Sequence, residues 1–240
     1  MKQKIAAGCL ILCLCACFSL PGCGTEASED PLAVVDTLLD GCVTVHLQDL
    51  GAEFELRNVE ATAGSDGYRF TGQESKERDT GAINLRRPLG AYFDTAGVPY
   101  AVLVRFMSEE IHGLRFICEN GSGRIAMAFD QGVYPTIDDT DASDDSEESN
   151  AKLMLNERWN DYIYTPGEWA YVFFSITNTG QKNCYIWAEQ DPGNFNTHTS
   201  YSGDFRGEDE PFEFHIELGD DGETVTVSDV WLFSFERMKR

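Results

Sequence analysis

The chain has 240 residues, and its 41 Asp and Glu against 18 Lys and Arg give a formal net charge of −23. Such an acidic chain lacks the basic surface that nucleic acids and anionic lipid headgroups require, which excludes both as electrostatic partners. Hydrophobic residues make up 42% and aromatic residues 12% of the sequence, which is enough for a packed core and excludes wholesale disorder.

The N-terminus predicts an export and lipidation signal. Lys2 and Lys4 precede an apolar run over residues 5–20, which is shorter than a membrane span needs but typical of a signal peptide. The run ends in Leu20-Pro21-Gly22-Cys23, which resembles the lipobox of bacterial lipoproteins, with Pro21 as a departure from its commonest form. The resemblance implies cleavage after residue 22, lipidation of Cys23 and anchoring on the extracytoplasmic face of a bacterial cell membrane. The alternatives are a secretory signal cut elsewhere and an uncleaved apolar anchor.

The remaining residues predict a short tether followed by one domain. Residues 23–30 form the lipidated cysteine and a polar tether, and residues 31–240 form a single domain that begins with one or two helical turns. Beyond residue 42, apolar residues alternate with polar ones or form short β-branched and aromatic runs between Gly, Asn and Asp turns. About ten strands with little helix are expected, which predicts an all-β antiparallel β-sandwich of the jelly-roll kind.

Individual runs predict where these strands lie. Residues 168–176 form an aromatic run that we expect to be buried on both faces, with cover of one face by a ligand as the alternative. Residues 212–218 alternate between a dry and a wet face. Residues 120–123 predict a hairpin turn. We expect loops over the acidic segment 138–150 and over the polar segment 191–201, where Phe195, His198 and Tyr201 are candidate rim contacts.

Three cysteines follow Cys23. Cys118 and Cys184 each lie within an apolar strand-like run, and Cys42 stands apart from them. Buried free thiols are the favoured interpretation, and a Cys118–Cys184 disulfide is the alternative. None has the spacing of a zinc ligand.

Three segments carry a resemblance to known sandwiches. Residues 166–172 resemble a strand entry of concanavalin A-like lectin and glucanase sandwiches and of jelly-roll carbohydrate-binding modules. Trp187 before the Asp191-Pro192 turn and the closing run 225–233 are similar to other strands of those folds. The resemblance covers residues 80–236 and implies a concanavalin A-like fold and glycan binding. The Glu-x-Asp-x-(x)-Glu catalytic pattern of the glucanase branch is absent, and in the nearest equivalent, residues 213–217, histidine stands where the aspartate would be.

Aromatic residues supply the candidate glycan contacts. Sugars stack their apolar C–H faces on aromatic rings, and polar side chains at the rim bind their hydroxyl groups. Tyr185 and Trp187 share one face of a strand, and a polar stretch holds Arg158, Trp159 and Tyr162. We predict these five residues as the ligand site, with burial in the core as the alternative. Trp169 and Trp231 are expected in the core.

Carboxylates supply two weaker candidate sites. Glu213 and Glu217 lie on one strand face, and either one paired with Glu189 or Glu119 would give a glycoside hydrolase its two acids, whereas a solvated strand face is the alternative. In the acidic segment, Asp139, Asp141 and Asp145 are candidate calcium ligands, although the segment lacks the glycine and the final glutamate of an EF-hand loop. The alternative there is a self-repelling surface loop.

These observations predict a lipid-anchored, extracytoplasmic, non-catalytic carbohydrate-binding protein. Its expected partners are the membrane and a glycan or cell-envelope polymer, and no cofactor is expected, with calcium as the alternative. The alternative functions are a glycoside hydrolase-like enzyme and an envelope adhesion or assembly module that binds a protein.

Overall fold

The computed structural model describes ten segments of the chain: residues 39, 41–73, 80–93, 100–121, 123–141, 162–176, 180–193, 195–201, 211–219 and 222–235. The predictions for residues 1–30, which include Cys23, and those for Arg158, Trp159 and Asp145 lie outside these segments. Within them, no helix is both long and apolar enough to cross a membrane.

Strands make up most of the described chain. The short helix α1 spans Leu50–Glu53, and one 3₁₀ turn spans Leu89–Tyr92. The fourteen strands of the described segments are β1 (Cys42–His46), β2 (Phe54–Arg57), β3 (Val59–Gly64), β4 (Gly67–Gly72), β5 (Gly81–Leu85), β6 (Tyr100–Met107), β7 (Arg115–Asn120), β8 (Gly123–Gln131), β9 (Tyr134–Asp141), β10 (Ala170–Ile176), β11 (Gln181–Ala188), β12 (Phe195–Tyr201), β13 (Glu213–Leu218) and β14 (Thr224–Phe235).

The strands form two antiparallel sheets packed face to face. The eight-stranded sheet has the order β12-β11-β10-β6-β14-β4-β3, and β1 also pairs with β14. The six-stranded sheet has the order β2-β5-β13-β7-β8-β9. The predicted all-β antiparallel sandwich is confirmed, and it contains more strands than the ten expected.

The core lies between the two sheets and follows the period-two patterns of the sequence. In β13, Phe214, Ile216 and Leu218 are buried while Glu213 is exposed, as the alternation of this strand predicts. All seven residues of β10 are buried, which confirms that this strand is covered on both faces.

A second apolar cluster covers part of the outer face of the eight-stranded sheet, and it explains the burial of β10. Its buried members are Ala101, Leu103, Tyr171, Phe173, Trp187 and Phe233, and partly buried Leu39, Cys42, Tyr185 and Trp231 pack against them. Because Leu39 precedes β1, the chain begins to cover this outer face before it enters the sheet.

Two predicted loops are wrong in part, because strand pairing overrides local composition. Asp138 and Asp139 belong to β9, where they pair with Ala126 and Ile125 of β8. Most of the predicted polar loop is β12, which pairs with β11 from Trp187↔Phe195 to Gln181↔Tyr201. Backbone hydrogen bonds to a neighbouring strand do not depend on side-chain polarity, so these polar runs extend as strands.

Cys118 and Cys184 are separate, fully buried thiols in the structure, so the Cys118–Cys184 disulfide considered as the alternative is not formed. Burial raises the pKa of Cys118 far above its usual value, so this thiol stays protonated and packs as a small apolar side chain.

Candidate functional site

Strand register brings aromatic and charged side chains together on the outer face of the eight-stranded sheet. Tyr171 pairs with Trp187 on one side and with Arg105 on the other, and Arg105 pairs with Asp229. Directly paired residues project from the same face, so these four side chains form one row across four strands. Three members of this row, without the buried Trp187, and their neighbours define what we call the polar–aromatic patch: His46, Arg105, Trp169, Tyr171, Glu189, Ser228, Asp229 and Trp231.

A β-bulge in β14 supplies one corner of the patch. The register with β6 shifts between Val227 and Asp229. Val227 before the shift and Val230 after it are both buried, so two consecutive residues, Ser228 and Asp229, lie between inward positions. Bulges of this kind re-aim side chains next to functional sites.

Arg105 holds the centre of the patch in one geometry. Its Nε and Nη2 donate to Oε1 (3.1 Å) and Oε2 (2.7 Å) of Glu189, and its Nη1 donates to Oγ of Ser228 (2.9 Å). Its guanidinium carbon lies 3.9 Å from the ring centroid of Trp169. Burial alone would lower the pKa of Arg105, but its hydrogen bonds to Glu189 and the nearby negative charge more than offset this and raise it, so the cation is permanent.

His46 and Trp231 form the other side of the patch. The His46 ring stacks on the Trp231 ring, with centroids 5.0 Å apart and an interplanar angle of 14°. Gln48 Nε2 lies 2.7 Å from His46 Nδ1, so a neutral imidazole carries its proton on Nε2 and donates to Oδ1 of Asp229 at 2.9 Å. Polar groups of the patch reach solvent, since the His46 side chain is 37% and the Asp229 side chain 28% exposed.

The structure places the predicted ligand residues differently from expectation. Trp187 has no exposed surface, because it stacks on Tyr171 with centroids 5.2 Å apart inside the outer apolar cluster. The prediction of an exposed Trp187 platform is therefore wrong. Tyr185 is half-buried and makes a T-shaped contact with Phe173. Tyr162 is buried between the sheets, where burial raises its pKa.

Sequence reasoning missed the two tryptophans that the patch does use. Trp169 and Trp231 were expected in the core, but both are half-buried on the outer face. The signal was present for Trp231, because it stands between the buried residues Val230 and Leu232 and must point the other way. Trp169 lies one residue before β10, so strand alternation does not predict its direction. Its contact with Arg105 shows that it lies on the outer face of the eight-stranded sheet.

The candidate catalytic residues lie on the outer face of the six-stranded sheet. Glu213 is directly opposite Glu119, and His215 lies 3.8 Å from carboxylate oxygens of both Glu119 and Glu217. Glu189 belongs to the patch on the other sheet, so its expected pairing with Glu213 or Glu217 is wrong. Only the Glu119 pairing is compatible with the strand order.

The rest of that face is occupied by ion pairs. Arg115 donates from Nε and Nη2 to the two carboxylate oxygens of Asp130, both at 3.0 Å, and lies 3.9 Å from Glu217. Arg124 pairs with Asp138. These ion pairs neutralise one another across β7, β8 and β9, beside the carboxylates of Glu119 and Glu217 that flank His215.

Asp139 is not available as a calcium ligand. Its carboxylate faces the interior, where Lys182 and His198 contact it. Its position in β9, confirmed by pairing with β8, turns the side chain away from solvent. Within the described segments, no group of three or more His, Cys, Asp or Glu is arranged to hold a metal ion.

Comparisons with known proteins report on the fold. No family model matches the chain. No curated protein matches it. Among solved structures, lectin II from Ulex europaeus has a TM-score of 0.52 at 14% identity, covering 81% of this chain and 99% of that one. Lectin UEA-II complexed with galactose has a TM-score of 0.51 at 14% sequence identity, and the match covers 81% of this chain and 99% of that lectin. The metal-free form of lectin I-B4 from Griffonia simplicifolia has a TM-score of 0.51 at 10% sequence identity, and the match covers 81% of this chain and 100% of that lectin. The chain therefore has the sandwich fold of these lectins, the concanavalin A-like fold that the sequence predicts.

Proposed function

We propose that the chain is a lipid-anchored, extracytoplasmic glycan-binding protein whose ligand site is the polar–aromatic patch. The observation that carries the proposal is the position of two half-buried tryptophans, Trp169 and Trp231, beside polar groups that ion pairs already hold in place. Solved structures with the same fold include a lectin complexed with galactose, which supports the assignment at the level of the fold.

The chemistry of the patch suits a sugar. Trp169 and Trp231 offer aromatic surface for the apolar C–H groups of a pyranose ring. The carboxylates of Glu189 and Asp229 accept hydrogen bonds from hydroxyl groups, and Arg105 keeps Glu189 in one orientation before a ligand arrives. Such pre-ordering reduces the entropy that binding must overcome.

The patch favours binding over hydrolysis. Each of its carboxylates is engaged by a basic partner, Glu189 by Arg105 and Asp229 by His46. Glycoside hydrolysis needs one carboxyl group that donates a proton to the leaving oxygen. Carboxylates that are already paired with basic groups are suited to accept hydrogen bonds instead.

Binding is tested by titrating the purified chain with a panel of polysaccharides while recording tryptophan fluorescence. We expect a saturable change, and we expect Trp231→Ala and Trp169→Ala each to weaken the interaction about fivefold, since aromatic stacking contributes about 1 kcal/mol. The control is Tyr134→Ala, which removes an aromatic side chain that is 45% exposed on the other sheet. A flat response across the panel, or equal affinity in the tryptophan variants, would contradict the proposal, and release of reducing ends would indicate an enzyme.

Anchoring is tested separately through Cys23. The lipobox resemblance predicts that the wild-type chain partitions with the membrane fraction and incorporates a labelled fatty acid, because buried acyl chains hold a protein at the bilayer. Cys23→Ser is expected to abolish both, whereas Cys42→Ser is the matched control and should change neither. Labelling that persists in Cys23→Ser would overturn the anchor.

A further inference from the structure

A buried Lys–Asp–His cluster joins the two sheets along one side of the sandwich. Lys182 of β11 and His198 of β12 project inward from the eight-stranded sheet, next to Cys184 in the core. Asp139 meets them from β9 of the six-stranded sheet. Since β9 and β12 are the last strands of their sheets, the cluster lies where the sandwich would otherwise open.

The three side chains are shielded from water and in direct contact. The side chains of Lys182, His198 and Asp139 are 1%, 5% and 9% exposed. Nζ of Lys182 lies against Oδ1 of Asp139, and Nε2 of His198 is 3.3 Å from Oδ2. One carboxyl group therefore holds an amine on one oxygen and an imidazole on the other.

Burial makes the charged form of this cluster costly. Burial alone would raise the pKa of Asp139, but hydrogen bonds from His198 and Lys182 lower it to about 2, so Asp139 starts as a carboxylate. Taking an ammonium and a carboxylate out of water carries a desolvation cost for each ion, which their mutual attraction and hydrogen bonds must offset. A neutral amide between the same two side chains carries no such penalty.

We propose that Lys182 and Asp139 condense into an isopeptide bond that covalently joins β11 to β9. A proton first passes from the Lys182 ammonium to Oδ1 of Asp139, which leaves a neutral amine and a carboxylic acid. Nζ then attacks Cγ, and negative charge develops on Oδ2, where His198 donates a hydrogen bond from Nε2. A second proton passes from the nitrogen to Oδ1, and the Cγ–Oδ1 bond breaks to release one water molecule.

The surroundings favour this condensation. The contact of Nζ with the Asp139 carboxyl group makes the reaction intramolecular, which gives the amine a high effective concentration at this carboxyl group. Ile125, which pairs with Asp139, and Cys184, which pairs with His198, are both fully buried, so bulk water that would reverse the reaction is kept away. The condensation needs no oxidant and no cofactor, because its only by-product is water.

The test is peptide mapping of the folded, full-length chain by mass spectrometry after proteolysis. We expect a branched peptide that joins the segments containing residues 139 and 182, lighter by one water than their sum. Because trypsin does not cut after an acylated lysine, cleavage after Lys182 should be lost. Separate, full-mass peptides with normal cleavage after Lys182 would overturn the proposal, as would water loss without the branch.

Variants separate the bond from an ordinary ion pair. Lys182→Arg keeps a cation beside Asp139 but should yield only unbranched peptides, and if it does not fold, the wild-type map still decides the question. His198→Ala is expected to lower the branched fraction at a fixed time after synthesis, and His198→Gln, which keeps a donor, should restore part of it. An unchanged fraction in His198→Ala would overturn the role of His198 but leave the bond itself.

Discussion

Tyr164 shows how one buried hydroxyl connects two elements. Its oxygen accepts a hydrogen bond from the backbone N–H of Ser108 (2.7 Å) and donates to the carbonyl oxygen of Glu168 (2.9 Å). Its ring stacks on Phe106 with centroids 5.5 Å apart. Burial raises the pKa of Tyr164 to about 12, because a phenolate would lie unsolvated between the sheets.

This pKa predicts a loss of stability in alkali. A group whose folded pKa is raised from 10 to about 12 contributes stability that is complete below pH 10 and is lost as pH rises through 12. We expect Tyr164→Phe to lower the free energy of unfolding at pH 7 by about 1–2 kcal/mol. The deficit of the variant should shrink between pH 10 and 12.

Urea unfolding at a series of pH values measures this difference. Tyr134→Phe removes the hydroxyl of an exposed tyrosine and serves as the control, with little effect at any pH. If the free energies of unfolding of the wild type and Tyr164→Phe fall in parallel across the alkaline range, ionisation of the Tyr164 hydroxyl does not cause the predicted loss of stability.

At the scale of elements, a glycine docks the β3–β4 hairpin on β14. Gly67 has a φ of +128°, and a Cβ atom at this position would lie 2.3 Å from the carbonyl oxygen of Val227 and 2.6 Å from Cα of Ser228. Both contacts are backbone atoms at the bulge of β14, so they cannot move aside cheaply. Glycine is therefore required here by close approach as well as by conformation.

Gly67→Ala is accordingly expected to destabilise the fold by about 3 kcal/mol or more, which combines left-handed strain with overpacking. Gly132→Ala is the matched control, because it also has a positive φ, +74°, but has open space around its Cβ. Its expected cost is about 1 kcal/mol from backbone strain alone. Equal midpoints of the two variants in urea unfolding would show that the contact with β14 is unimportant.

For the whole molecule, the charge imbalance opposes compactness. With a formal net charge of −23, most acidic residues lack a basic partner of their own, and their mutual repulsion is greatest in the folded state. The described ion pairs on the six-stranded sheet are partly exposed and contribute little individually. Added salt should therefore stabilise the fold, because it weakens the repulsion among the acidic residues more than it weakens the attraction within the ion pairs.

We expect the melting temperature to rise as NaCl increases from about 10 mM to about 0.5 M, because the Debye length falls from about 30 Å to a few ångströms. Thermal unfolding followed by circular dichroism measures the shift, and KCl at equal ionic strength is the control for specific ion effects. A melting temperature that falls with salt would mean that attractive pairs dominate. A larger rise in CaCl2 at matched ionic strength would instead indicate a specific calcium site.

Local patterns predicted the strands whose side chains alternate clearly. β13 and β10 can be predicted from their own residues. Alternating apolar and polar residues indicate that β13 is buried on one face, and a nearly continuous apolar run indicates that β10 is buried on both. β9 and β12 did not, because their Asp, Asn and Thr residues match turn composition as well as strand composition. Their extension depends on pairing with β8 and β11, which no local pattern contains.

The sequence by itself determined the fold class, because period-two alternation and regular turn residues are local properties that specify β-strands and their buried faces. Only the tertiary structure decided which tryptophan reaches solvent and which acid meets which base. Trp187 is covered because Tyr171 stacks beside it, and Asp139 meets Lys182 across 43 positions of the chain. Such contacts depend on sheet order, register and one bulge, and these are set by the packing of the whole sandwich.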